Sequence, residues 1–274
     1  MLFYPQYDYL VSVPMLVLPS LVYMLSAVMM SRRWPAGKRL EVKNAMRLYN
    51  VVQIVLCAYM TWGLWPVVSF PNVFGLNSGF TDRGEWFVLV HYLSKYLDWF
   101  DTIFIVLKDN TTKQLSLLHV YHHGSIGVVW GLLLRKGAGN GSARYGALIN
   151  SITHVLMYSH YLWTSFGFKN PFRDLLTKWQ IFQFYTCITH SVLVLTGIPI
   201  VETRIPRNLA WIEFAYHVTM IYLFTFKLRW VPNIYLSASS RLKKRQALKG
   251  KRMANSESSA SLPDSSIGVT KKRD

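Results

Sequence analysis

Seven stretches of the 274-residue chain are long and apolar enough to read as helices crossing a bilayer. They lie at residues 9–30, 48–70, 85–107, 115–134, 144–166, 177–200 and 208–228. The first runs for 22 residues without a charge, and a helix needs roughly 20 such residues to cross the hydrocarbon core. No basic segment precedes it, and Arg32 and Arg33 follow directly. It therefore reads as an anchor and not as a removable signal. A soluble protein with buried helices fits poorly with seven such runs joined by short connections. The pattern predicts an all-α integral membrane protein with seven transmembrane helices.

Residues 1–236 form this membrane domain. Residues 237–274 are polar, Ser-rich and basic, cannot bury a core, and read as a disordered tail. The chain carries a net charge of +17, which in a soluble protein would raise nucleic-acid binding. The placement of the charge excludes that reading. Of 30 Lys and Arg, 22 fall in alternate loops and the tail. Basic residues favour cytosolic loops, so the N-terminus is expected in the lumen and the C-terminus in the cytosol. The chain ends Lys271-Lys272-Arg273-Asp274. Lys271 and Lys272 then read as a dilysine signal for retrieval to the endoplasmic reticulum. Two cysteines, Cys57 and Cys187, exclude a disulfide scaffold and a multi-Cys zinc site.

Ionisable groups at membrane depth are costly and are functional candidates by default. With this topology Lys95, Asp98, Asp101 and Thr102 lie in the cytosolic half of the third span. His119, His122 and His123 lie one to two turns into the fourth. Asn150 and His154 are near the middle of the fifth, with Tyr158, His160 and Tyr161 nearer the cytosol. Gln180 and Gln183 open the sixth, and Asn50 and Gln53 the second. Spacings of three and four put each set on one helix face. The expected picture is a polar chamber facing the cytosol above an apolar slot.

An HxxHH cluster supports two chemistries. Imidazoles are common metal ligands, as in membrane di-iron desaturases and hydroxylases. Those enzymes use several clustered boxes, whereas His91, His160, His190 and His217 are scattered. The other chemistry uses neutral imidazole as nucleophile and base, with Asp98 or Asp101 as the orienting acid. No metal is expected. A seven-helix photoreceptor or pump would want a Schiff-base Lys midway along the last span, but Lys227 is at its end.

The motifs resemble those of the fatty-acid elongases. Lys95-Tyr96-Leu97-Asp98-Trp99-Phe100-Asp101-Thr102 is similar to KxxExxDT, with Asp98 for Glu. His119, His122 and His123 match the HxxHH box. His154-Val155-Leu156-Met157-Tyr158-Ser159-His160-Tyr161 resembles HxxMYxYY, with His160 for Tyr. Thr177, Gln180 and Gln183 match TxxQxxQ. All four occur in the family's order on four successive spans. Asp98, the upstream Gln114 and the HVYHH form are most like elongases acting on polyunsaturated chains.

That resemblance implies a 3-oxoacyl-CoA synthase of the endoplasmic-reticulum membrane, its seven helices set around an interior substrate tunnel. It would condense acyl-CoA with malonyl-CoA, releasing CO2 and CoA, without a separate cofactor. His122 would be the nucleophile and form an acyl-imidazole, and His154 would assist the malonyl half-reaction. His119 and His123 would shape the site. Asp98 and Asp101 would orient imidazoles or hold helices, with Lys95 as their partner. Asn150, Tyr158, His160, Tyr161, Gln180 and Gln183 would contact substrate. The expected partners are the lipid bilayer, the reductases and dehydratase of the elongation cycle and, in a homodimer, a second copy. Nucleic acid is not among them.

Overall fold

A computed structural model describes residues 4–35, 37–67, 74, 81–109, 111–196 and 205–229, apart from the side chains of 67, 112–113 and 226–229. Among the described residues the secondary structure is helical throughout. The α-helices are α1 (Val13–Arg33), α2 (Lys43–Leu64), α3 (Asp82–Leu97), α4 (Phe100–Leu107), α5 (Thr111–Gln114), α6 (Leu117–Arg135), α7 (Arg144–Ser165), α8 (Arg173–Thr196) and α9 (Arg207–Arg229). By length and composition α1 and α6 are apolar enough to cross a membrane. Residues 237–274, with Lys271 and Lys272, lie outside the described residues.

The helices form a bundle in which α2 packs most extensively on α7, α8 on α9, and α1 on α6. Close approach of α1 to α6 depends on Gly131, where a Cβ would collide with the Leu16 side chain. Small residues at helix interfaces serve this purpose in membranes. A hydrophobic core runs through the bundle, including Met60, Leu64, Phe87, Leu89, Leu148 and Val194.

Two local features set the site. The run at 85–107, predicted as one continuous span, is broken into α3 and α4. At the break the ladder tightens: Trp99 N–H donates to Tyr96 O at 3.3 Å and Asp101 N–H to Asp98 O at 3.2 Å. These i to i−3 bonds are 3₁₀ geometry, in which residues three apart eclipse. Asp98 and Asp101 are thereby brought to the same side. The helix α6 starts where Ser116 Oγ accepts from His119 N–H at 3.2 Å. This N-cap places the whole histidine box within the first two turns.

At the opposite end of the bundle, Asn140 is 1% exposed. Its Nδ2 donates to Thr81 O at 2.5 Å, and its Oδ1 accepts from Gly141 N–H at 2.9 Å. Arg144 Nε donates to Gly141 O at 3.0 Å. The glycosylation sequon Asn140-Gly141-Ser142 is thus a buried brace between the starts of α3 and α7.

Candidate active site

A cavity of about 490 Å³ lies between α2, α4, α6, α7, α8 and α9. His119, His122 and His123 from α6 line it together with His154 from α7. Asn50, Asp101, Asn150, Tyr161, Gln180 and Gln183 share the lining, and Leu118, Phe184, Met220 and Phe224 supply an apolar side. Exposed Lys108, Gln114 and Thr164 form the rim. The cavity therefore belongs to the end of the bundle where α2, α6 and α8 begin and α4 and α7 end. On α2, α7 and α8 the lining stops at Asn50, Asn150 and Phe184.

Behind the α2–α4–α7 wall runs a connected polar network. Tyr158, fully buried, has its phenol 2.7 Å from Asp101 Oδ2 and 3.3 Å from Asp98 Oδ1. Gln53 Nε2 stands 2.8 Å from Asp98 Oδ1 and 2.8 Å from Tyr49 Oη. Lys95 Nζ donates to Asn150 Oδ1 at 2.8 Å and pairs with Asp98 Oδ2 at 3.4 Å. Buried charges must be paired in this way to be tolerated. Lys95, Asp98 and Tyr158 thus stand behind the cavity and are not among its lining residues. His154 Nδ1 is 3.8 Å from Asp98 Oδ2, an ionic-range contact too long for a hydrogen bond.

The box histidines are held individually. His119 Nε2 and Thr102 Oγ1 are 2.8 Å apart, and Tyr23 Oη is 2.8 Å from the same hydroxyl. The rings of His119 and His123 approach to 4.3 Å. Trp99, at the α3–α4 break, donates from Nε1 to His123 O at 2.8 Å and so ties the break to the box. His122 Nδ1 lies 3.1 Å from Tyr216 Oη on α9.

Buried polar atoms without hydrogen-bond partners are uncommon and call for an explanation. Three cavity-lining residues carry such atoms: Asn50 Nδ2, His123 Nδ1 and His154 Nδ1. Among the described residues no group of three His, Cys, Asp or Glu side chains is placed to hold a metal ion.

Sequence reasoning placed His160 with the substrate contacts, but it is not among the cavity-lining residues. Its Nδ1 is 2.7 Å from Asn170 Nδ2 in the α7–α8 connection. The physical reason is helical phase: His160 is six residues from His154, about 120° round the helix from it at 3.6 residues per turn. The remaining histidines are also elsewhere. His91 packs on Trp130, His190 stands 3.4 Å from Glu213, and His217 Nδ1 reaches Glu213 O at 2.9 Å. Tyr49, Tyr23 and Tyr216 were not singled out from sequence. The available signal was that a tyrosine in an apolar helix, when buried, needs a partner for its hydroxyl.

The chain resembles trypanosomatid proteins along most of its length. It is 40% identical over 222 residues to Fatty acid elongase 5 of Trypanosoma cruzi, covering 81% of this chain and 85% of that one. It is 41% identical to Fatty acid elongase 5 of Leishmania major, covering 81% and 87%. With Fatty acid elongase 4 of Trypanosoma brucei brucei the identity is 42%, covering 81% and 86%. Residues 8–228 match the family described as ELO: GNS1/SUR4, and on this evidence the chain is a member of the ELO family of membrane proteins.

Proposed function

We propose that this chain is the condensing enzyme of a fatty-acid elongation cycle. It joins an acyl-CoA with malonyl-CoA to give a 3-oxoacyl-CoA two carbons longer, with release of CO2 and CoA. The observation that carries the reading is the convergence of His119, His122, His123 and His154 on one cavity. Neutral imidazole is a competent nucleophile and base near neutral pH.

In this reading His122 attacks the thioester carbonyl carbon. The C–S bond breaks, its electron pair leaves with CoA, and an acyl-imidazole remains. Malonyl-CoA then loses CO2, and its α-carbon attacks the acyl carbon. The C–N bond breaks, and its pair returns to His122. His154, across the cavity, acts in the malonyl half-reaction. Asn50, Asn150, Gln180 and Gln183 hold the polar parts of the substrates, while Lys108 at the rim favours the anionic CoA. The chemistry needs no separate cofactor.

The seven helical runs, counting α3 with α4 as one, cross the endoplasmic-reticulum membrane. The N-terminus is lumenal and the C-terminus cytosolic, with Lys271 and Lys272 as the retrieval signal. This orientation puts the rim in the cytosol, where soluble CoA must remain. The acyl tail follows the apolar side at Leu118, Phe184, Met220 and Phe224, the start of a tunnel that sets chain length. A Met220→Trp variant is expected to shift products to shorter chains, and unchanged product length would remove the tunnel from the account. Polyunsaturated acyl-CoAs are the preferred substrates, given Asp98, Gln114 and the HVYHH form. The 3-oxo product requires the reductases and the dehydratase of the cycle as functional partners.

The test is an assay of membranes bearing the protein with labelled malonyl-CoA and a panel of acyl-CoAs. The expected result is label in 3-oxoacyl products, strongest with polyunsaturated acceptors. Desaturated or hydroxylated products without label would overturn the reading in favour of oxygenase chemistry.

A further inference from the structure

The α6–α9 contact gives His122 a partner that none of the four motifs contains. Tyr216 Oη lies 3.1 Å from His122 Nδ1. Tyr216 is only 7% exposed, and its ring packs against Tyr121 at 5.9 Å. Ser125 Oγ, which donates to Tyr121 O at 2.6 Å, is 3.4 Å from the same phenol oxygen. The ring also forms part of an outer groove beside α1 and α9, while His122 faces the inner cavity. Tyr216 therefore stands behind the imidazole and away from the substrate.

We propose that Tyr216 is the positioning residue for His122: through Nδ1 it fixes the ring so that Nε2 presents its lone pair to the acyl carbon. This inference rests on His122 being the nucleophile. A phenol suits the position because it both accepts and donates. In the free enzyme Oη accepts from Nδ1–H, which leaves Nε2 unprotonated. During attack the developing positive charge on the ring is stabilised by that bond. When the C–S bond has broken, CoA leaves as the thiolate, the ring gives up its Nδ1 proton to solvent, and a neutral acyl-imidazole remains. Its Nδ1 now carries a lone pair, so Oη turns and donates to it, while Ser125 Oγ, held on Tyr121 O, stays beside Oη at 3.4 Å. A carboxylate could serve only the first of these states. Asp98 and Asp101 are instead engaged by Lys95, Gln53 and Tyr158.

The test compares Tyr216→Phe, Ser125→Ala and His122→Ala in purified protein. A rapid-quench experiment with acyl-CoA alone reads the single-turnover release of CoA. Tyr216→Phe keeps the ring packing and loses only the hydroxyl. Its release rate is expected to fall about tenfold, as for loss of one orienting hydrogen bond, with an unchanged KM for acyl-CoA. A purely structural role would lower the amount of folded protein and leave the rate per folded molecule unchanged, and that result overturns the proposal. An equal change in KM with an unchanged rate also overturns it. If Tyr216→Phe does not accumulate, Ser125→Ala decides: a two- to threefold slower release supports the relay, and a wild-type rate contradicts it. His122→Ala separates the two levels. Release at the wild-type rate in that variant removes the nucleophile itself, whereas a silent His122→Ala beside a wild-type Tyr216→Phe removes only the positioning role.

Discussion

On the α2–α4–α7 side of the cavity, six polar side chains, five of them buried, are tied into one network containing a lysine, two carboxylates, a glutamine and two phenols. On the α6–α9 side, His122 meets a single neutral phenol backed by one serine. The first wall carries charges that water no longer solvates. It must hold its geometry or pay the cost of an uncompensated ion. The second wall carries none, so it can lose its hydroxyl and still pack. The contrast teaches that the two sides fail differently: damage to the first is expected to unfold the protein, and damage to the second to slow it.

The largest effect is expected at His122, where Ala should abolish label incorporation while the protein still accumulates in the membrane. Full activity in that variant would remove His122 from the mechanism. Next comes Asp98→Asn, which strips the buried Lys95 of its carboxylate. Loss of one partner from a buried pair costs about 3–5 kcal/mol, so thermal unfolding in detergent should show a large drop in Tm. An unchanged Tm would mean that Lys95 finds its compensation elsewhere. Tyr158→Phe removes the phenol that bridges both carboxylates and leaves them facing each other. A loss of about 1–3 kcal/mol is expected, read by the same unfolding curve. The smallest expected change is the Tm of Tyr216→Phe, within about 0.5 kcal/mol of wild type, as for most substitutions away from a buried charge. A drop matching that of Tyr158→Phe would erase the contrast between the walls.

Much of this arrangement was legible in the residue pattern. Within the described residues each apolar run is mostly helix, because burial on a helix leaves a long uncharged segment that does not depend on neighbours. The convergence of His119, His122, His123, His154, Asn150, Gln180 and Gln183 followed from their depth along alternating helices and their three- and four-residue spacing. What was not legible depends on rotation and on partners from distant sequence. The break at Asp98–Trp99 is a tertiary adjustment, with Trp99 reaching His123 O. His160 sits in a motif yet is turned away from His154, which needs an angular argument and not a depth argument. Tyr216 carries no motif at all, and only the approach of α9 to α6 gives it a role.

The central claim is that His122 carries the acyl group. It is tested most directly by incubating the protein with acyl-CoA in the absence of malonyl-CoA, quenching, and mapping the adduct by peptide mass spectrometry. The account predicts one acyl group on the peptide containing His122, discharged on addition of malonyl-CoA and missing in His122→Ala. An acyl group that stays on another residue in His122→Ala, with condensation intact, would contradict it.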